Sequence, residues 1–194
     1  MGHPTSVSFT RAELKSFTGA TLPDLIAPGV RLLFVGINPG LRSVAVQGHF
    51  APRGNRFYPA LLRAGITDHL IDASAGLTAG DRDYLLARGV GITSLVTRAT
   101  ASADEITPAE LAEGARALGT KIARFGPRVV AILGVTAYRT AFAAPRARPG
   151  RQPQDLNGAP LWVVPNPSGR NAHAPLDTLA AAYREVAQAA GLSL

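Results

Sequence analysis

A chain of 194 residues with 46% hydrophobic content is long enough for one packed core and short of what two ordinary domains need. The absence of cysteine excludes disulfides, thiolate zinc sites, cysteine nucleophiles and iron–sulfur clusters together. A net charge of +7 fits a polyanionic partner such as DNA, and all the basic residues except Lys15 and Lys121 are arginines.

The first 30 residues hold a short amphipathic segment, Arg11 to Phe17 behind Thr10, and then a Pro- and Gly-punctuated run to Gly29. Arg31 to Gly36 is an apolar run too short for a helix and closed by glycine, which reads as a buried parallel strand. After a Gly/Pro-bearing loop to about Pro52, Asn55 caps a helix from Arg56 to Ala64. A short helix from Asp81 to Arg88 precedes a second strand, Val90 to Val96. Thr107-Pro108-Ala109-Glu110 is a capping box with proline in the first turn, and its helix runs to about Arg124 before Gly126-Pro127 stops it. Arg128 to Leu133 is a third strand, and Gly134 starts a helix through Tyr138 and Phe142. The Pro- and Arg-rich segment Pro145 to Pro153 reads as a surface loop, Asn157-Gly158 as a tight turn, and Pro160 to Val164 as the last strand. A closing helix covers Leu176 to Ala190, with Leu179, Tyr183 and Val186 on its apolar face.

Strands alternating with helices predict an α/β fold: a single-domain three-layer sandwich around a central, mainly parallel four-stranded sheet. Residues 1–22 form an N-terminal arm and 23–194 the folded domain. The longest apolar runs are strand-length, far below the roughly 20 residues of a membrane span. Met1 to Phe9 lacks a basic region followed by an apolar core, so no membrane association and a cytoplasmic location are expected.

In such sheets ligands bind beyond the carboxyl ends of the strands. Gly36-Ile37-Asn38-Pro39-Gly40-Leu41 occupies that place after the first strand and matches neither the dinucleotide fingerprint nor the P-loop spacing. Asn166-Pro167-Ser168-Gly169-Arg170-Asn171 follows the last strand on the same rim. Each alone is a good turn; together they place two asparagine amides where a ligand would sit. His3, His69 and His173 show no metal-ligand spacing, so neither a metal nor a cofactor is expected.

With Leu22 to Gly29, Asn55-Arg56-Phe57 and Ala131 to Gly134 with Tyr138, these two motifs resemble the mismatch-specific uracil/thymine DNA glycosylase family of the uracil DNA glycosylase superfamily, from about Leu22 to the end. The resemblance implies that fold, a glycosylase domain over 23–194, and a monomer acting on double-stranded DNA that carries a damaged or mismatched base. Such an enzyme flips the nucleotide out of the stack to reach it. Asn38 then falls on the catalytic position, its amide oxygen orienting water rather than acting as a strong base. Gly36, Ile37, Ser43, Phe50 and Asn166 fall on the base pocket, Phe50 as a stacking platform and Asn166 as a donor to the departing base. Ser168, Gly169, Arg170 and Asn171 fall on the DNA-contacting loop, where Arg170 takes a wedge position that often holds leucine.

Other polar residues carry less. His49 reads as solvent-exposed, Thr93 and Ser94 as rim residues that do not ionise usefully, and neither lysine as placed for a Schiff base, which favours hydrolysis over lyase chemistry. Three other readings stand beside this one: a glycosylase of broader specificity, a weakly catalytic damage-binding module, and a nucleotide-binding enzyme. The last lacks an acidic ribose contact about 20 residues beyond Gly36.

Overall fold

A computed structural model describes residues 8–169, 171 and 174–194. In chain order the elements are α1 (Arg11–Lys15), β1 (Leu32–Gly36), α2 (Leu41–Ala45), α3 (Phe57–Ala64), α4 (Ala79–Ala87), β2 (Val90–Ser94), α5 (Pro108–Phe125), β3 (Val129–Leu133), α6 (Val135–Ala141), β4 (Gly150–Leu156), β5 (Ala159–Val164) and α7 (Leu176–Ala189). The sheet runs β2-β1-β3-β5-β4; the first four strands are parallel and β4 is antiparallel to β5.

Period-2 alternation sorts the strand side chains into two cores. Leu32, Phe34, Ile92, Ala131 and Leu133 face α3, α4 and α7, whereas Leu33, Val35, Val130, Ile132 and Leu161 face α5 and α6. Both sheet faces are therefore covered, which is why β1 and β3 read as unbroken apolar runs rather than alternating ones. The capping box at Thr107 forms as the sequence predicts, with Pro108 opening α5 and Gly126 closing it at φ +60°.

The sheet has five strands, not four. The segment expected to be wholly loop from Pro145 to Pro153 becomes strand at Gly150, and β4 and β5 form a hairpin through Asn157 and Gly158, both at positive φ. Only Gln152 of β4 is buried, so the strand has no apolar alternation for a sequence pattern to detect. It also contains Pro153, and the pairing shifts register between Arg151 and Asp155, as suits an edge strand lacking one N–H. The short α2 likewise lies within the stretch expected to be loop; five residues are too few to display helical periodicity.

Leu22, Val44 and Ala99 form a small third cluster with Phe17, Ala20 and Leu41. Gly19 donates to the Ala99 carbonyl and Ala99 to that of Ala20, so the chain before β1 packs on the loops after β1 and β2.

Candidate active site

The loop after β1 is knitted to the loop after β2. Leu95 and Val96 donate to the carbonyls of Gly36 and Ile37, and Gly40 bridges Thr100. Asn38 lies within this seam, half-buried. Its Nδ2 donates to the carbonyls of Pro39 and Arg98, both at 3.1 Å, and to Thr100 Oγ1 at 2.8 Å. Thr100 gives its own proton to the Ser102 carbonyl, so its oxygen can only accept from Asn38. Two carbonyls and a committed hydroxyl around one end fix the amide orientation: nitrogen inward, Oδ1 left as an acceptor with no partner among the described residues.

The Arg98 carbonyl that holds Asn38 is itself anchored. Arg98 forks onto Glu110 at 2.5 and 3.0 Å, and Glu110 also accepts from the N–H and hydroxyl of Thr107. The Arg98 guanidinium and the two Thr107 bonds hold the Glu110 carboxyl down at about 2. The capping box therefore does double duty, starting α5 and bracing the loop beneath Asn38. Sequence reading found the cap and missed Arg98, whose role depends on a contact across twelve residues.

Gly36 pairs with Ser94 across β1 and β2. A Cβ built on Gly36 would lie 3.5 Å from Ser94 Oγ and 3.7 Å from the Phe50 ring, so the missing side chain leaves a notch between an aromatic ring and a hydroxyl. Phe50 reaches it at φ +56°, a left-handed conformation costing a non-glycine residue about 1–2 kcal/mol. Its ring stacks on Phe57 at 4.1 Å and 27°, and Phe57 packs edge-on against Phe34. The strained residue is thus seated on the aromatic core, while Tyr58 donates to the His49 carbonyl and holds the preceding peptide.

On the far loop, Asn166 follows β5 and lies 3.5 Å from the Cβ position of Gly134, so it rests against the end of β3. Its Oδ1 accepts from the Ser168 N–H at 2.9 Å, leaving Nδ2 as a donor without a partner among the described residues. Asn171 donates its amide to the Asn166 carbonyl and its backbone N–H to that of Ser168. The two asparagines expected at the site therefore present opposite polarity: Asn38 offers an acceptor and Asn166 a donor. The backbone N–H groups of Ile37 and Asn38 also bond to no described residue.

The remaining expected residues divide. Ile37 places its side chain in the core facing α5 and contributes backbone. Ser43 is on α2, only 4% exposed, and its hydroxyl bonds to no described residue. Ser168 and Asn171 are half-buried and Gly169 is exposed; a Cβ on Gly169 would meet Gly54 O at 2.7 Å, so the two loops touch there. Arg170 lies outside the described residues, as do His3 and His173.

Two side chains depart from expectation. His49 is 8% exposed rather than solvated, its Nε2–H donating to the Pro23 carbonyl at 2.9 Å, and burial lowers its pKa and keeps it neutral. It helps line a cavity of about 300 Å³ with Leu22, Asp24, Leu25, Leu77 and Arg82, beside the Phe50 loop and apart from the Gly36 notch. Thr93 is fully buried and points away from the rim: its hydroxyl donates to Asp24 Oδ1 and accepts from Lys121 Nζ, which pairs with Asp24 Oδ2 at 2.6 Å. Strand alternation explains this, since Thr93 and Ser94 must face opposite sides and only Ser94 meets Gly36.

Arg56, to which the sequence assigns no role, holds the second loop of the candidate site. Its guanidinium donates to three carbonyls, Ala174 at 2.5 Å, Ser168 at 2.7 Å and Asn171 at 2.7 Å, while its N–H donates to Pro167. The start of α3 thus holds the loop after β5 through Arg56 and supports Phe50 through Phe57.

A family model, the uracil DNA glycosylase superfamily, matches residues 23–188. Among solved structures, the chain is similar to the solution NMR structure of a "putative uracil DNA glycosylase" from Methanosarcina acetivorans, with 15% identity, a TM-score of 0.54, and coverage of 86% of this chain and 96% of that one. That likeness speaks to the fold, and the family match spans both strand-end loops that carry the asparagines. The chain belongs to the uracil DNA glycosylase superfamily.

Proposed function

We propose that the protein is a mismatch-specific uracil-DNA glycosylase that flips uracil, preferentially opposite guanine, out of duplex DNA and hydrolyses its N-glycosidic bond without cutting the strand. The observation that carries this reading is the opposed polarity of the two asparagines: an acceptor at Asn38 and a donor at Asn166 on one rim. Hydrolysis needs one of each. Water must be oriented toward C1′, and as the C1′–N1 bond breaks its electron pair moves onto the uracil ring, where negative charge builds.

Asn38 Oδ1 accepts a hydrogen bond from the attacking water, and the water's proton passes to solvent because an amide is not a base. Asn166 Nδ2 and the N–H groups of Ile37 and Asn38, which bond to no described residue, stabilise the departing anion. The base stacks on Phe50 in the notch left by Gly36, beside Ser94 Oγ. Ser43 is a weaker contributor, its buried hydroxyl sitting one helix turn beyond the Asn38 loop. Ser168, Gly169 and Asn171 meet the DNA backbone and the orphaned guanine, with Arg170 as wedge. No lysine serves a Schiff base: Lys121 is paired with Asp24, and Lys15 is exposed on α1.

Broader specificity is the second reading. The notch is bounded by an aromatic ring, a hydroxyl and backbone rather than by a set of base-reading side chains, so it discriminates weakly among pyrimidines. The test is single-turnover incubation with labelled duplexes carrying G:U, A:U or G:T. The reading expects alkali-sensitive abasic sites at G:U above A:U, no strand cut before alkali, and no borohydride-trapped adduct. Equal rates on all three would favour the broad-specificity enzyme, and abasic sites on none would remove the glycosylase reading for these bases.

A further inference from the structure

The Pro- and Arg-rich turn between α6 and β4 has no part in the site described above. From Arg139 to Arg151 the chain carries four arginines and no carboxylate. The backbone of this turn is braced from within: buried Gln152 donates to the carbonyls of Arg148 and Gly150 at 2.7 and 2.8 Å, and Arg139 donates twice to that of Ala147. Pro145 and Pro149 stiffen it further. Arg151 is engaged with Asp155, whereas Arg146 and Arg148 are exposed and make no ion pair or hydrogen bond through their side chains to the described residues.

Sheet register puts Arg146 and Arg148 on the rim that carries the Asn38 and Asn166 loops. Gly150 pairs with Val163, one residue before the end of β5, where the Asn166 loop begins. From β1, which leads into Asn38, to β4 is three strand spacings, about 14 Å at ~4.8 Å each. That is about four base steps at ~3.4 Å along a duplex.

We propose that the Arg146–Arg148 turn is a phosphate-binding site for the DNA backbone, gripping the duplex about four base pairs to one side of the flipped nucleotide. This rests on the glycosylase reading. The turn contributes affinity and register but no base specificity, because exposed guanidinium groups on a rigid turn meet phosphate oxygens whatever the sequence.

The test is fluorescence-anisotropy titration of the full chain with an undamaged labelled duplex over a series of salt concentrations. It compares the parent, the pair Arg146→Ala with Arg148→Ala, and the pair Arg146→Lys with Arg148→Lys. Each phosphate contact adds about 0.9 to the slope of log affinity against log salt, so the alanine pair is expected to lower it by about 1.8 and the lysine pair to retain it. Single-turnover cleavage of a G:U duplex at saturating protein should be the same for parent and alanine pair. An unchanged slope and affinity in the alanine pair, or an equal loss in the lysine pair, overturns the proposal. Failure of the parent to cleave while the slope still falls would instead defeat the glycosylase reading and leave the phosphate site standing.

Discussion

At the scale of single residues, each asparagine of the candidate site has one end of its amide already engaged. Asn38 loses its nitrogen to Pro39, Arg98 and Thr100, and Asn166 loses its oxygen to Ser168, so neither amide can turn to present the other atom. Gly36 allows a clean test of the notch. An added methyl would meet Ser94 and Phe50 only at 3.5–3.7 Å, ordinary van der Waals contact, so Gly36→Ala should fold with its urea midpoint nearly unchanged. On the proposed reading it fills the space for the base, however, and single-turnover cleavage of a G:U duplex should fall at least about tenfold, or ~1.4 kcal/mol. Undiminished cleavage would place the base elsewhere. His49 gives a pH-dependent prediction. Its folded pKa is lowered from 6.5 by burial, so the unfolded chain binds its proton first and the contribution to stability, full above 6.5, is lost as pH falls below that value. In urea titrations at pH 7.5 and 5.5, the parent should lose more stability than His49→Gln.

At the scale of elements, the start of α3 ties the two halves of the site together. Phe57 supports the Phe50 ring and Arg56 fastens the loop after β5, so helix, aromatic and loop share one anchor. A lysine cannot reproduce a fork onto three carbonyls. Arg56→Lys should therefore lower stability by about 1–3 kcal/mol, raise the DNA Kd about tenfold, and change the saturated single-turnover rate less than threefold. Amide hydrogen exchange should locate the loosened segment in the loop after β5; protection unchanged there would show that Arg56 does not hold it. This anchor was invisible in the sequence because it joins α3 to carbonyls more than a hundred residues away. Adjacent signals were legible: the Thr107 capping box, the Gly126 stop and the unbroken apolar runs of β1 and β3 follow from local chemistry.

At the scale of the whole molecule, the layered α/β architecture could be read from the order of apolar runs, because a sheet covered on both faces writes itself as uninterrupted hydrophobic strands. What escaped was the edge: β4 buries one side chain, contains proline and pairs out of register, so nothing in its composition distinguishes it from a loop. The burial of His49 and the Thr93–Asp24–Lys121 cluster escaped for a related reason, since both depend on the chain before β1 folding back onto the rim. The candidate site was legible only as two short loops at strand ends; the opposed polarity of its two asparagines required the hydrogen bonds around them. The most direct measurement of the account is the single-turnover rate of uracil release from a G:U duplex at saturating protein, for the parent and Asn38→Ala, with duplex affinity measured alongside. The account predicts a rate roughly 100-fold lower in Asn38→Ala with duplex affinity within about twofold of the parent. An unchanged rate would contradict the assignment of water orientation to Asn38.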